Sequence, residues 1–186
     1  MALPATIHRV QVSLSDVDRG VYEELELRLA RHPSESMRYL LSRLLAYCLS
    51  YEEGIEFAKG GLSASDEPPI SIWDMTGARQ AWIDVGSPSA ERLHKASKAT
   101  PRVSLFSHVA LPLLRREAAS RAIHQIESIA VWSLDPAFLA ELEPLIDRNT
   151  QLELVRSSGQ LYLTIDGRVL ESSISETSLL EPEPEP

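Results

Sequence analysis

Cysteine is nearly absent from the chain. Cys48 stands alone, so no internal disulfide can form, and with no CxxC or Cys/His spacing the sequence argues against structural zinc. Long apolar runs are missing too. Nothing approaches the roughly 18 consecutive apolar residues of a membrane span, and Met1 to Val12 lacks the basic-then-apolar order of a secretory signal; the expectation is a cytoplasmic protein with no membrane partner. Positive charge is scarce: 18 Lys and Arg face 27 Asp and Glu, for a net charge of −9. Five of the acids, Glu171, Glu176, Glu181, Glu183 and Glu185, follow the last basic residue, Arg168. Even without them the chain lacks the footprint of a protein that coats DNA, which needs many Lys or Arg contacts to phosphate. Nucleic acid stays open as a partner that is not held tightly or non-specifically. The five histidines, His8, His32, His94, His108 and His124, show no HExxH or HxH spacing, and no GxSxG, Walker or GxGxxG sequence occurs.

What is present suits a single domain. A chain of 186 residues with 44% apolar content can bury an ordinary core. We read residues 1–176 as one domain and 177–186, which ends in alternating Glu and Pro, as a solvated acidic tail with nothing to bury. Ala5 to Leu14 alternates as a strand. In Val21 to Arg31, Leu25, Leu27 and Leu29 alternate with charged residues, and this period of two outweighs the helix preference of Leu and Glu. The first helix is expected to open with Ser34 as cap and Glu35 at the positive end of its dipole. Its apolar stripe is Met37, Leu41, Leu44 and Cys48, widened by Leu40 and Leu45, with Arg38 and Arg43 off it.

A short strand is predicted within Gly54 to Gly61, then a hairpin of Ile70 to Met75 and Arg79 to Val85. The turn between them, Asp74-Met75-Thr76-Gly77, has type I chemistry. A helix over Ser89 to Ala99 places Leu93 and Ala96 on one side and His94, Lys95 and Lys98 on the other. Strands at Arg102 to Ser107 and Ser128 to Leu134 flank a helical stretch around Leu113 to Gln125. Asp135 caps a helix that starts at Pro136 and runs through Ile146, and Leu152 to Ile165 folds as a last hairpin at Ser157-Ser158-Gly159. These elements imply an α/β (α+β) fold in which helices flank one mixed sheet. With no exposed heptad or long apolar edge, the chain is expected to be a monomer or weak dimer.

Candidate chemistry gathers around Trp82-Ile83-Asp84-Val85-Gly86. Period two puts Ala81, Ile83 and Val85 on one face of the strand, and Gln80, Trp82, Asp84 and Gly86 on the other. Continuing the hairpin register brings Asp66 or Glu67 near Asp84. Two carboxylates on one face repel unless a cation or a proton intervenes, and hard oxygen ligands suit Mg²⁺ or Mn²⁺. Lys95, or Lys98, could reach over from the next helix to hold a water or a phosphate, and Gly86 leaves room for a ligand. Asp74 is explained by its turn, and Trp82 by packing or by base stacking.

Ala30-Arg31-His32-Pro33-Ser34-Glu35, Arg43-Leu44-Leu45-Ala46, Asp66-Glu67-Pro68, Trp82-Ile83-Asp84-Val85-Gly86 with Pro88, Lys95-Ala96, Val131-Trp132 with Leu134-Asp135, and Asp147-Arg148 together resemble the YaeQ family over nearly the whole chain. The resemblance implies a compact variation on the PD-(D/E)XK nuclease core. On that pattern Asp84 stands for the (D/E), Asp66 or Glu67 supplies the PD-type acid, and Glu35 matches an additional acid on the first core helix. Position 86 departs from the pattern, with Gly where a nuclease has Lys, and Lys95 is the substitute. Catalytic roles then fall to Asp84, Lys95, Glu67 and Glu35, and metal ligation to Asp84, Glu67 and Asp66. Two functions follow: a metal-dependent nuclease, or a non-catalytic module that binds nucleic acid or a protein partner.

Overall fold

The computed structural model describes residues 4–59 and 66–180. Alternation decides the first two elements, β1 (Thr6–Asp16) and β2 (Val21–Arg31), which pair antiparallel along their whole length. Val10, Val12, Leu14, Leu25, Leu27 and Leu29 all point inward and are buried. β8 (Asn149–Ser157) joins β1 in parallel, and β9 (Gln160–Ile165) and β10 (Arg168–Ser173) extend the sheet as a meander. The order of this first sheet is β10-β9-β8-β1-β2. Its two tight turns both carry positive φ, at Ser158 and Gly159 and at Asp166 and Gly167, the backbone that two-residue hairpin loops require.

The second sheet holds β3 (Ile55–Phe57), β4 (Ile70–Trp73), β5 (Arg79–Val85), β6 (Arg102–Ser107), β7 (Ile129–Ser133) and β11 (Glu176–Thr177), in the order β11-β7-β6-β5-β4-β3. β5, β6 and β7 are parallel and joined through α2 (Ala90–Ala99) and α3 (Leu111–Ala118). The single mixed sheet expected from the sequence is therefore two sheets. Between them lies α1 (Met37–Leu49), where every residue from Leu40 to Leu49 is buried. Its neighbour is α4 (Pro136–Leu142). A stripe was expected on α1, but a helix covered on both sides becomes apolar almost all round. Outside the second sheet, Leu93, Ala96, Leu114 and Ala118 of α2 and α3 pack on Trp82, Val103, Leu105 and Val131. The layers thus run sheet, helices, sheet, helices.

Several boundaries differ from the expectation. The cap of α1 is Ser36, whose Oγ accepts from Tyr39 N at 3.1 Å; Ser34 instead bonds the His32 ring. α3 stops at Ala118, well short of Gln125. α4 does start at Pro136 with Asp135 as cap, but gives way to a 3-10 turn, Glu143–Leu145, where Pro144 lacks the N–H that would continue it. The short strand is confined to Ile55–Phe57, and Gly60 and Gly61 lie outside the described residues. Packing also runs past residue 176, because Thr177 pairs with Val131 and Leu179 is buried against α3 and its neighbours. The Glu-Pro stretch from Glu181 lies outside the described residues. No helix of the described residues is long and apolar enough to cross a membrane.

Candidate functional site

β5 carries the candidate acid into a layer covered on both faces. Ala81, Ile83 and Val85 face α1, while Trp82 and Asp84 lie under α2. Asp84 is only 2% exposed, yet its carboxylate is fully engaged. Oδ1 accepts from Val85 N at 3.1 Å; Oδ2 accepts from Trp82 Nε1 at 3.1 Å and from Arg92 Nε at 2.5 Å. Arg92 rises from the first turn of α2, above the Trp82 ring at 5.4 Å, and donates to the Glu67 carbonyl at 2.8 Å. Its guanidinium thus stands where the sequence reading placed a metal ion.

Of the other candidate acids, Glu35 is paired in the same manner, Asp66 is paired at the surface, and Glu67 is exposed. Glu35 is 4% exposed, and its Oε1 receives Arg43 Nε at 3.0 Å and a guanidinium nitrogen at 2.6 Å, while Oε2 receives His32 N. Arg43, expected off the apolar stripe, is buried to meet it. Lys95 reaches Asp66, not Asp84, and this pair is open to solvent on both sides, at 49% and 71% exposure. The Lys95 ammonium, as hydrogen-bond donor and as nearby charge, holds the Asp66 carboxyl below the usual carboxylate range. The hairpin register runs two residues beyond the one expected: Ile70 faces Ile83, so the level of Asp84 is met by Pro69 and that of Gly86 by Glu67. Glu67 is exposed and contributes its carbonyl to Arg92.

Tyr39 closes the site from α1. Gly86, at φ +85°, has the Tyr39 ring 3.5 Å from where a Cβ would stand, so the space expected for a ligand is filled by this ring. Burial, followed by the Asp84 charge, pushes the Tyr39 hydroxyl above its ordinary range, which keeps it a neutral donor. Arg43 lies 5.9 Å over the same ring. The Glu35–Arg43–Tyr39 group thus neighbours the Asp84–Arg92 pair where α1, β5 and α2 meet. Asp74 does what its turn position implies: Oδ1 accepts from Thr76 N and Ala78 N, and Oδ2 from Gln80.

This donor set does not fit Mg²⁺ or Mn²⁺ as it stands. Among the described residues no three His, Cys, Asp or Glu side chains come close enough to share an ion, and Asp84, Glu35 and Asp66 each already hold a cation of the chain. The residues that sequence reasoning missed are Arg92 and Tyr39. Arg92 lies eight residues after Asp84, in the first turn of the following helix, so the strand-to-helix step alone could have indicated that it reaches back. A third missed feature is cationic. Within α2, α3 and the loop to Gln125, Arg92, Lys95, Lys98, Arg115, Arg116 and Arg121 face only two acids, Glu91 and Glu117, and a windowed charge count would have found them.

Comparison with known proteins follows the same outline. Residues 1–174 match the family model described as YaeQ protein. The uncharacterized protein YaeQ of Escherichia coli K12 is 32% identical over 177 residues, covering 94% of this chain and 97% of that protein. Its Salmonella typhi namesake is 34% identical over 166 residues, covering 88% and 91%. The crystal structure of YaeQ protein from Xanthomonas axonopodis pv. citri superposes with a TM-score of 0.84 at 30% identity, covering 94% of this chain and 98% of that one. That from Pseudomonas syringae gives 0.84 at 30% identity, with 97% and 99% covered. With the family model spanning nearly every described residue, the chain belongs to the YaeQ family.

Proposed function

We propose that the protein is a nucleic-acid-binding module that docks phosphates on the outer face of α2 and α3 and does not hydrolyse them. The observation that carries this reading is charge segregation: in a chain of net charge −9, the outer face of α2, α3 and the loop after them exposes Lys95, Lys98, Arg116 and Arg121 against only Glu91 and Glu117. Lys98 and Arg116 there are exposed, with no ion-pair partner among the described residues. Elsewhere acids dominate and repel a polyanion, so contact is confined to one face and affinity stays modest. The absence of hydrolysis is supported by the Asp84–Arg92 and Glu35–Arg43 pairs, which neutralise the two buried carboxylates a metal-dependent reaction would need.

The test is binding of duplex, single-stranded and branched DNA and of RNA as a function of salt. If four side chains meet phosphates, log K should fall against log salt with a slope of roughly −3 to −4 on duplex DNA. Lys98→Gln and Arg116→Gln should each flatten that slope by about one unit. Failure to bind, or slopes the variants leave unchanged, would refute the reading. Strand scission with Mg²⁺ or Mn²⁺ that Asp84→Asn abolishes would establish instead the hydrolase, with Asp84 and Asp66 or Glu67 exchanging Arg92 and Lys95 for the ion.

A further inference from the structure

On the face of β5 opposite Asp84, a cleft of about 340 Å³ opens between the two sheets at the C-terminal end of α1. That size is ordinary for a small-molecule site. Leu49, Ile72, Ala81 and Ile83 give it an apolar floor. Its walls bring together three guanidinium groups from distant parts of the chain: Arg19 after β1, Arg102 at the start of β6, and Arg156 near the end of β8. Glu52 is the one carboxylate in the lining, and it is bonded to Arg102.

Two of these arginines are held in place by other parts of the fold. Arg19 donates to the Leu49 carbonyl at 2.8 Å and the Tyr51 carbonyl at 2.6 Å, which fixes its charge at the end of α1. Arg156, with its side chain 12% exposed, lies over the Trp132 ring at 5.1 Å. Behind both, the wholly buried Asp16 carboxylate accepts from Arg19 N through Oδ1 at 3.2 Å, while its Oδ2 stands 3.5 Å from the Arg19 guanidinium and 3.6 Å from that of Arg156, too far for a good hydrogen bond. Its Oδ2 and the Nε of Arg156 are buried without a hydrogen-bond partner. Asp18 is 3.2 Å from that Nε but out of line with its N–H, and its oxygens are taken by the Ser158 and Gly159 amides. A buried charged donor without an acceptor is costly and uncommon in a folded protein. Asp16 and Asp18 balance the charge of Arg156, but neither is placed to accept a hydrogen bond from its guanidinium, which leaves that capacity to an acceptor in the cleft.

We propose that this cleft binds a small oxyanion with an apolar body, a carboxylate or a phosphate monoester, its head group on Arg156 and Arg102 and its body over Ile83 and beside Trp132. The inference is independent of the α2/α3 face, which lies on the other side of the second sheet. The experiment measures the melting temperature of the full chain against increasing phenyl phosphate, benzoate and inorganic phosphate, since a ligand of the folded state raises it with concentration. Phenyl phosphate and benzoate should raise it more than inorganic phosphate does. The rise should vanish in Arg156→Met, weaken in the half-exposed Arg102→Gln, and persist in Lys98→Gln. No rise, a rise no larger than that from inorganic phosphate, or one undiminished in either arginine variant would overturn the proposal. Should Arg156→Met not fold, Arg102→Gln alone decides.

Discussion

Asp84 shows how one partner reverses the meaning of a residue. If it faced a second carboxylate, as the hairpin register suggested, amidation would relieve repulsion and stabilise the metal-free protein. With Arg92 at 2.5 Å the sign changes. Asp84→Asn keeps an oxygen for Trp82 Nε1 but leaves Arg92 without its counter-charge, and should cost about 1–3 kcal/mol in urea unfolding. An unchanged or raised stability would show that the pair is not formed in solution. The Glu35–Arg43 bridge is more deeply enclosed, with both side chains at most 3% exposed. Arg43→Met abandons a buried carboxylate and should lose about 3–5 kcal/mol, whereas the double variant Glu35→Leu with Arg43→Met should recover much of that loss. Cys48 remains what its place on α1 suggested, a buried thiol pushed up to about 12 by desolvation, and so unreactive in the folded chain.

Among the elements, the β1–β2 and β8–β9 hairpins of the first sheet are fastened to each other by Asp18, whose carboxylate accepts from Ser158 N at 2.6 Å and Gly159 N at 3.0 Å. These amide bonds, with help from Arg156, hold its pKa below the ordinary 3.8. The folded-state value being the lower one, the unfolded chain takes the proton first on acidification. The stabilisation is therefore whole above 3.8 and vanishes as pH falls through the folded-state value. Asp18→Asn should lose less of its urea midpoint than wild type between neutral pH and pH 3; equal losses would show that the carboxylate contributes nothing. β2, a long strand at the sheet's edge, shows Glu23, Glu24, Glu26 and Arg28 to solvent, the charges that discourage another chain from pairing there.

Across the whole molecule, the last described residues belong to the body. Leu179 is 3% exposed and packs with Leu114, Ala118 and Ile123, and the Ser178 carbonyl receives Arg115. Leu179→Ala should lower stability by about 2–4 kcal/mol in equilibrium unfolding; a neutral result would place the end of the cooperative unit before residue 177. The same scale separates two charged surfaces. α2 and α3 turn Lys95, Lys98 and Arg116 outward, while Arg19, Arg102 and Arg156 converge between the sheets.

The sequence by itself determined what depends on near neighbours. Period two in Val21–Arg31 made a strand out of helix-forming residues, Asp74 and Gly77 made a turn, and Asp135-Pro136 began a helix, because alternation, turn bonding and capping act over a few residues. Asp166-Gly167 carried an equally local signal for β10, which the reading passed over. Tertiary structure alone decided the rest. That one sheet is two, that α1 is enclosed all round, and that Asp84 answers to Arg92, Glu35 to Arg43 and Asp66 to Lys95 all depend on which surfaces meet. A carboxylate reads the same in sequence whether a metal, a proton or a guanidinium will neutralise it. The choice is made by the packing that brings one of them within about 3 Å, where removal from water makes an unpaired charge untenable.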